Sequence, residues 1–153
     1  MQLAMNSRSE NQRYGALLLL GGEVIGEGWN RLLGRNEPFP FKTTFFLHAE
    51  RSAIGSALEK IDAKSLEGAT VYVAGFLPRE RRPLVRKMSM IHTGACAQCA
   101  RLYMRFGLKV AYMAADGWMR KDARTALADA QNNEQAIRKA GISKKEFRKA
   151  MCL

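Results

Sequence analysis

The sequence predicts a single α/β domain occupying residues 1–153, and three observations carry that prediction. Two apolar runs, residues 15–20 and 23–29, flank Gly21-Gly22, a pair that supplies the positive φ of a tight hairpin turn. Between residues 69 and 114 a β-branched run, a segment of helical period and a second apolar run follow one another, the signature of a β-α-β unit with parallel strands. A chain of 153 residues also buries a sizeable core without help from disulfides.

After the hairpin, residues 30–47 contain Pro38 and Pro40 and read as a long connection, of a length that often carries function, anchored to the core by Phe45-Phe46. From His48 the period becomes helical. Ala49, Ala53, Ile54, Ala57, Leu58 and Ile61 form one stripe toward the core, leaving Arg51, Glu59 and Lys60 in water, so a helix starts at or just before His48. Residues 69–74, between Gly68 and Gly75, have the profile of a buried strand. The basic segment 77–91 follows, and its poor alternation over 84–91 leaves a further strand open. Cys96, Cys99, Ala100, Tyr103 and Met104 mark the next helix, with Arg101 and Arg105 outside and Gly107 placed to end it before a strand at 108–114. That puts the core at residues 7–115. The remainder, 116–153, reads as a basic helical extension, with Gly141 as a stop and Ser143-Lys144-Lys145-Glu146 as a capping box for a last helix.

The net charge of +11 points to anionic company: nucleotides, nucleic acid or an acidic protein. It is concentrated in two runs. Arg79, Arg81, Arg82, Arg86 and Lys87 are candidate phosphate-binding residues, and Arg138, Lys139, Lys144, Lys145, Arg148 and Lys149 form the second run. Each run reads equally well as a solvated face that keeps the protein soluble. No stretch approaches the roughly 18 consecutive apolar residues of a membrane span, and Met1-Gln2-Leu3-Ala4 lacks the profile of a signal peptide. A soluble, cytoplasmic protein with no membrane partner is expected. Three cysteines, two of them three positions apart, favour metal ligation or redox chemistry over a disulfide framework, and Cys152 reads as a spare thiol.

His48, Cys96 and Cys99 offer one nitrogen and two sulfurs, the donor set of a zinc that keeps its fourth position open for water. Cysteines at i and i+3 on the first turn of a helix share a face, and the unpaired N–H groups there favour thiolate. Glu50, two residues after His48, is available to move protons beside the metal without binding it. A C-x-x-C alone is often half of a structural zinc site, but that needs a further pair, and only His92 and Cys152 remain. H-x-E followed tens of residues later by C-x-x-C, each opening a helix, is the signature of the zinc nucleobase deaminases.

Three segments, His48-Ala49-Glu50-Arg51-Ser52-Ala53-Ile54, Leu66-Glu67-Gly68-Ala69-Thr70-Val71-Tyr72-Val73 and Cys96-Ala97-Gln98-Cys99-Ala100, resemble in this order the deoxycytidylate deaminases of the cytidine deaminase superfamily. The resemblance covers roughly residues 7 to 115. Val24-Ile25-Gly26-Glu27-Gly28-Trp29-Asn30-Arg31 also resembles the tRNA adenosine deaminases, a sister branch. The family implies a three-layer α/β/α fold, a mixed sheet of about five strands between helices with zinc at two helix N-termini. It implies substrate-binding positions at Asn30, Ala49 and Ala95, the last through its backbone carbonyl, and it implies a homo-oligomer. This chain has Ala95 where the family usually has proline, and the basic stretch 77–91 where relatives run almost directly into the cysteine motif.

The expected function is hydrolytic deamination of a cytosine nucleotide of the dCMP or CMP type. Zinc held by His48, Cys96 and Cys99 would lower the pKa of a water so that hydroxide attacks C4, with Glu50 moving the protons and ammonia leaving. Trp29 and Phe46 stand as pocket walls or as core. Two other readings stay open: a deaminase of a base within nucleic acid, tRNA adenosine or single-stranded cytidine, with the basic runs gripping phosphates, and a non-catalytic zinc-stabilised binding module in which Glu50 is idle.

Overall fold

The computed structural model describes residues 2–9, 13–33, 46–77, 82–84, 95–114 and 117–139. A one-turn helix α1 (Gln2–Met5) precedes β1 (Arg13–Leu20), which turns through Gly21 and Gly22, at φ +59° and +91°, into the antiparallel β2 (Glu23–Trp29). The hairpin read from the sequence is therefore present. The ends of the following connection, expected to lack regular structure, pair with each other instead: β3 (Arg31–Leu32) runs antiparallel to β4 (Phe46–Leu47). Residues 34–45 between them, with Pro38, Pro40 and Phe45, lie outside the described residues.

Helix α2 (Ala49–Leu58) follows at once, and a 3₁₀ turn (Ala63–Leu66) leads into β5 (Thr70–Leu77). β5 lies antiparallel to β1 along Arg13–Leu19, so the end of β5 has only its other edge open, and β6 (Arg82–Leu84) pairs there with Gly75–Leu77. Of the further strand left open at 84–91, only Leu84, the last residue of β6, lies among the described residues, and 85–91 lie outside them. Helix α3 (Ala97–Phe106) ends at Gly107, left-handed at φ +63°, and returns the chain as β7 (Lys109–Ala114), parallel to β5 as the β-α-β pattern requires. Residues 117–121, read as the start of a helical extension, form instead a strand β8 (Gly117–Lys121) antiparallel to β7. Helix α4 (Ala123–Lys139) then begins, its first turn capped by Asp122 Oδ1, which accepts from the Thr125 N–H at 2.7 Å. Gly141, the capping box at 143–146 and the basic residues beyond Lys139 lie outside the described residues.

The result is the mixed five-strand path β2-β1-β5-β7-β8, with helices on both faces. Ala16, Leu18, Val71, Val73, Val110 and Tyr112 form the main buried face with α2, α3 and Ala126 and Ala130 of α4. On the other face α1 sits against Gly15, where a Cβ would meet the Ala4 backbone nitrogen at 2.7 Å. Two residues depart from the helical stripes read in the sequence. Met104, expected inside, is 44% exposed, and Arg51, expected in water, is only 4% exposed.

The depth of α2 is set by two glycines of β2. A Cβ on Gly28 would stand 2.3 Å from the Ala53 nitrogen and 2.6 Å from the Ala49 oxygen, and one on Gly26 2.3 Å from the Ala53 oxygen. Glycine in a strand is otherwise disfavoured by roughly 0.5–1 kcal/mol, and here it lets a helix backbone lie directly on the sheet. Gly28→Ala must push the first turns of α2 outward, because backbone atoms have no rotamer by which to step aside. The expected cost is about 3 kcal/mol, the upper end of overpacking, read as a lower urea midpoint against a Val24→Ala control on the exposed side of the same strand.

Candidate metal centre and active site

Both helices that face each other across the site begin with an unusual residue. N-caps are normally Ser, Thr, Asp or Asn, whose side chains bond the first free N–H groups; here His48 caps α2 and Cys96 caps α3, both extended, and neither side chain makes a capping bond. The two side chains turn toward each other instead. His48 Nδ1 lies 3.4 Å from Cys96 Sγ and 3.6 Å from Cys99 Sγ, and the three ligand atoms all fall within 4.8 Å of one another. Tetrahedral zinc, with Zn–N and Zn–S bonds of about 2.0 and 2.3 Å, separates nitrogen from sulfur by about 3.5 Å. The triad therefore fits zinc through Nδ1 and two sulfurs. Cys96 and Cys99 are both free of disulfide.

Electrostatics divide the two thiols. Hydrogen bonding from Cys99, reinforced by His48, holds Cys96 well below the ordinary thiol value against the opposing effect of burial. Cys99 is pushed well above it, by the bond to Cys96 first, then by burial and by the charges of Cys96 and Glu50, with Arg51 opposing. In the metal-free protein at neutral pH Cys99, raised above the ordinary thiol value, is thus protonated. Binding zinc as two thiolates must displace the Cys99 proton, so affinity rises with pH by about tenfold per unit until Cys99 itself ionises. Titration calorimetry in buffers of different ionisation enthalpy should count at least one proton released per zinc near neutrality; an affinity flat with pH would contradict this.

Glu50, the second residue of α2, is 6% exposed and close enough for its carboxylate to act on Cys99, yet it is not among the three groups that converge. Ala49 and Ala95 are buried at the two helix starts, 0% and 4% exposed. Asn30 closes β2, 4% exposed, and its Oδ1 accepts the Tyr14 N–H at 2.7 Å while its own N–H bonds the Tyr14 carbonyl. One half of its carboxamide is thus committed to the sheet. The β3–β4 ladder pairs Arg31 with Leu47, and extending that antiparallel register by one residue sets Asn30 opposite His48. Phe46 packs edge-on to the His48 ring, centroids 6.0 Å apart, and Trp29 is half-buried. Of the candidate phosphate ligands, Arg82 opens β6, and Arg79, Arg81, Arg86 and Lys87 lie outside the described residues, as do His92 and Cys152.

Sequence reasoning missed two residues at the centre. Arg51 Nη1 donates to Gln98 Oε1 at 2.9 Å, tying the first turn of α2 to the first turn of α3. Tyr103, one turn beyond Cys99, is fully buried, and its phenol is pushed well above its ordinary value by burial, with Tyr112, Glu50 and Cys99 adding to it. Its spacing signalled only core.

Among the described residues no helix is long and apolar enough to cross a membrane. No curated protein matches the chain in sequence. Among solved structures the chain is similar to a cytidine deaminase from Burkholderia pseudomallei, at 18% identity and TM-score 0.52, covering 84% of this chain and 91% of that one. It is also similar to the dCMP deaminase of cyanophage S-TIM5 in apo form, at 18% identity and TM-score 0.48, over 84% and 83% of the two chains. A second structure of the phage enzyme, in complex with dCMP and dUMP, aligns at 18% identity and TM-score 0.45 over 72% and 70%. The first of these carries the fold, with the five-strand path and flanking helices described above. Residues 1–115 match the family model for the cytidine and deoxycytidylate deaminase zinc-binding region. With the helix-capping His48 and Cys96 and the buried Cys99 inside that match, the chain belongs to the cytidine and deoxycytidylate deaminase family.

Proposed function

We propose that this chain is a zinc-dependent hydrolytic deaminase of a free cytosine nucleotide of the dCMP or CMP type. The observation that carries the proposal is the separation of Glu50 from the ligand triad. A structural zinc site is closed by a fourth protein ligand; among the described residues three ligand atoms converge, and a buried carboxylate lies within electrostatic reach of Cys99 without joining them. When bound, zinc supplies a Lewis acid that brings the pKa of a coordinated water down toward neutrality.

The chain's own residues do the rest. Glu50 accepts a proton from the attacking water, delivers it to N3 of the cytosine ring, and then carries the second water proton, from the hydroxyl now on C4, to the exocyclic amine. Water is consumed, the C4–N bond breaks, ammonia departs and a C4 carbonyl remains. The Ala95 carbonyl, at the start of the cysteine motif, accepts from the substrate amine, and Asn30 and Ala49 line the base or sugar. The free nucleotide is favoured by the spacing from Asn30 to His48 and by the Phe45-Phe46-Leu47-His48-Ala49-Glu50 run, both of which resemble the deoxycytidylate branch. A homo-oligomer in a soluble compartment accords with the resemblance.

The second reading, a deaminase of bases within nucleic acid, is favoured by the net charge of +11 and the basic run at 79–87. Ammonia release by zinc-loaded protein across dCMP, dCTP, cytidine, single-stranded DNA and tRNA separates the two. The proposal expects turnover of a mononucleotide to exceed that of either polymer; preference for a polymer, with steep salt dependence, would replace it with the second reading. A zinc-loaded protein that releases ammonia from none of them supports a binding module.

A further inference from the structure

Arg51 breaks two rules of local structure at once. It puts a cation in the first turn of α2, at the positive end of the helix dipole where acids are favoured, and it is buried at 4% exposure, where charges are kept only if well partnered. Helical periodicity puts this position in water, so local preference does not account for its burial. What does is its reach: Nη1 donates to Oε1 of Gln98 at 2.9 Å, across 47 positions of sequence. Gln98 lies between Cys96 and Cys99, and Arg51 lies three residues after His48. The bond therefore joins the two helix starts from which all three ligand atoms project. Departures from local preference of this kind gather at functional sites, where another gain offsets them.

We propose that Arg51 and Gln98 are positioning residues, a clamp that sets the separation of the α2 and α3 starts and thereby the geometry of the His48, Cys96 and Cys99 triad. This rests on the reading of that triad as the zinc site. An imidazole and two thiolates on separate helices keep a tetrahedral arrangement only if the helices do not slide, and partners outside the ligand set that orient ligands are worth about 10–100-fold in metal affinity. The Arg51 fork supplies a fixed direction that a lysine ammonium does not.

The test uses the full chain and the metal alone. Gln98→Met keeps the length of the side chain and removes its acceptor; Gln98→Glu keeps an acceptor and adds charge. Gln98 is exposed, so both variants fold, and circular dichroism checks it. Zinc affinity is measured by competition with a chromophoric chelator, and ligand geometry by the visible absorption of the cobalt(II) form. The clamp predicts that Gln98→Met weakens zinc by about tenfold and shifts the cobalt bands, whereas Gln98→Glu restores both. A Gln98→Met protein with the wild-type spectrum and affinity overturns the clamp, as does one that only melts earlier. Wild-type protein that takes up no cobalt or zinc overturns instead the metal site on which the clamp depends.

Discussion

Glu50→Gln is expected to leave zinc bound at full stoichiometry and to lower kcat by about 10⁴-fold, the upper end of what general acid–base catalysis contributes. The magnitude is large because one carboxylate handles every proton in the proposed sequence, from the water, to N3 and to the departing amine. Glutamine matches its shape and hydrogen-bonds in its place, but it cannot take up a proton at neutral pH. The sign of the effect on the metal can be worked out separately. The Glu50 charge is one of the causes that push the Cys99 thiol up, so removing it lets Cys99 ionise more readily, and zinc affinity near neutrality stays level or rises. Elemental analysis beside an ammonia assay thus divides catalysis from metal binding in one variant. A Glu50→Gln protein with full activity would end the proposed mechanism, and with it the assignment of Glu50.

Cys99→Ala attacks the other half of the site. Cys99 is fully buried within the core cluster as well as part of the triad, so two losses add. Removing one buried sulfur leaves a small cavity costing about 1 kcal/mol. Removing a ligand abolishes the linkage by which zinc stabilises the fold, worth about 4 kcal/mol when free zinc is a thousandfold above Kd. The variant should retain no stoichiometric zinc and no activity. Its melting temperature should not respond to zinc, while that of the wild type rises with zinc concentration. It should still fold, because α2 and α3 are held by the sheet and not by the metal: Gly26 and Gly28 seat α2, and Tyr103 and Phe106 seat α3 in the core. A variant that unfolds outright would show that the metal organises the helices, in the manner of a zinc finger.

How legible these features were in the sequence follows from the range of the interactions behind them. The Gly21-Gly22 turn and the left-handed Gly107 are decided by the backbone freedom of one or two residues, and both were readable at their positions. The parallel pair β5–β7 was readable because a helix between two apolar runs leaves few other topologies. β8 was passed over because a five-residue edge strand with alternating exposure has little apolar signal, and only its partner β7 makes it a strand. The closure of β3 on β4 was not legible, since each piece is two residues long and neither is a strand without the other.

The same division runs through the site. The ligand set His48, Cys96 and Cys99 and the family were legible in the sequence alone, because ligand type and spacing on a helix start are local properties. The tertiary structure decided that His48 Nδ1 meets both sulfurs at 3.4 and 3.6 Å, that Asn30 spends its carbonyl on Tyr14, and that Arg51 lies inside on Gln98. These are contacts between segments far apart in the chain. Each depends on how closely α2 can approach the sheet and α3, and that distance is set by packing of the whole core, on which the spacing of residues along one helix carries no information.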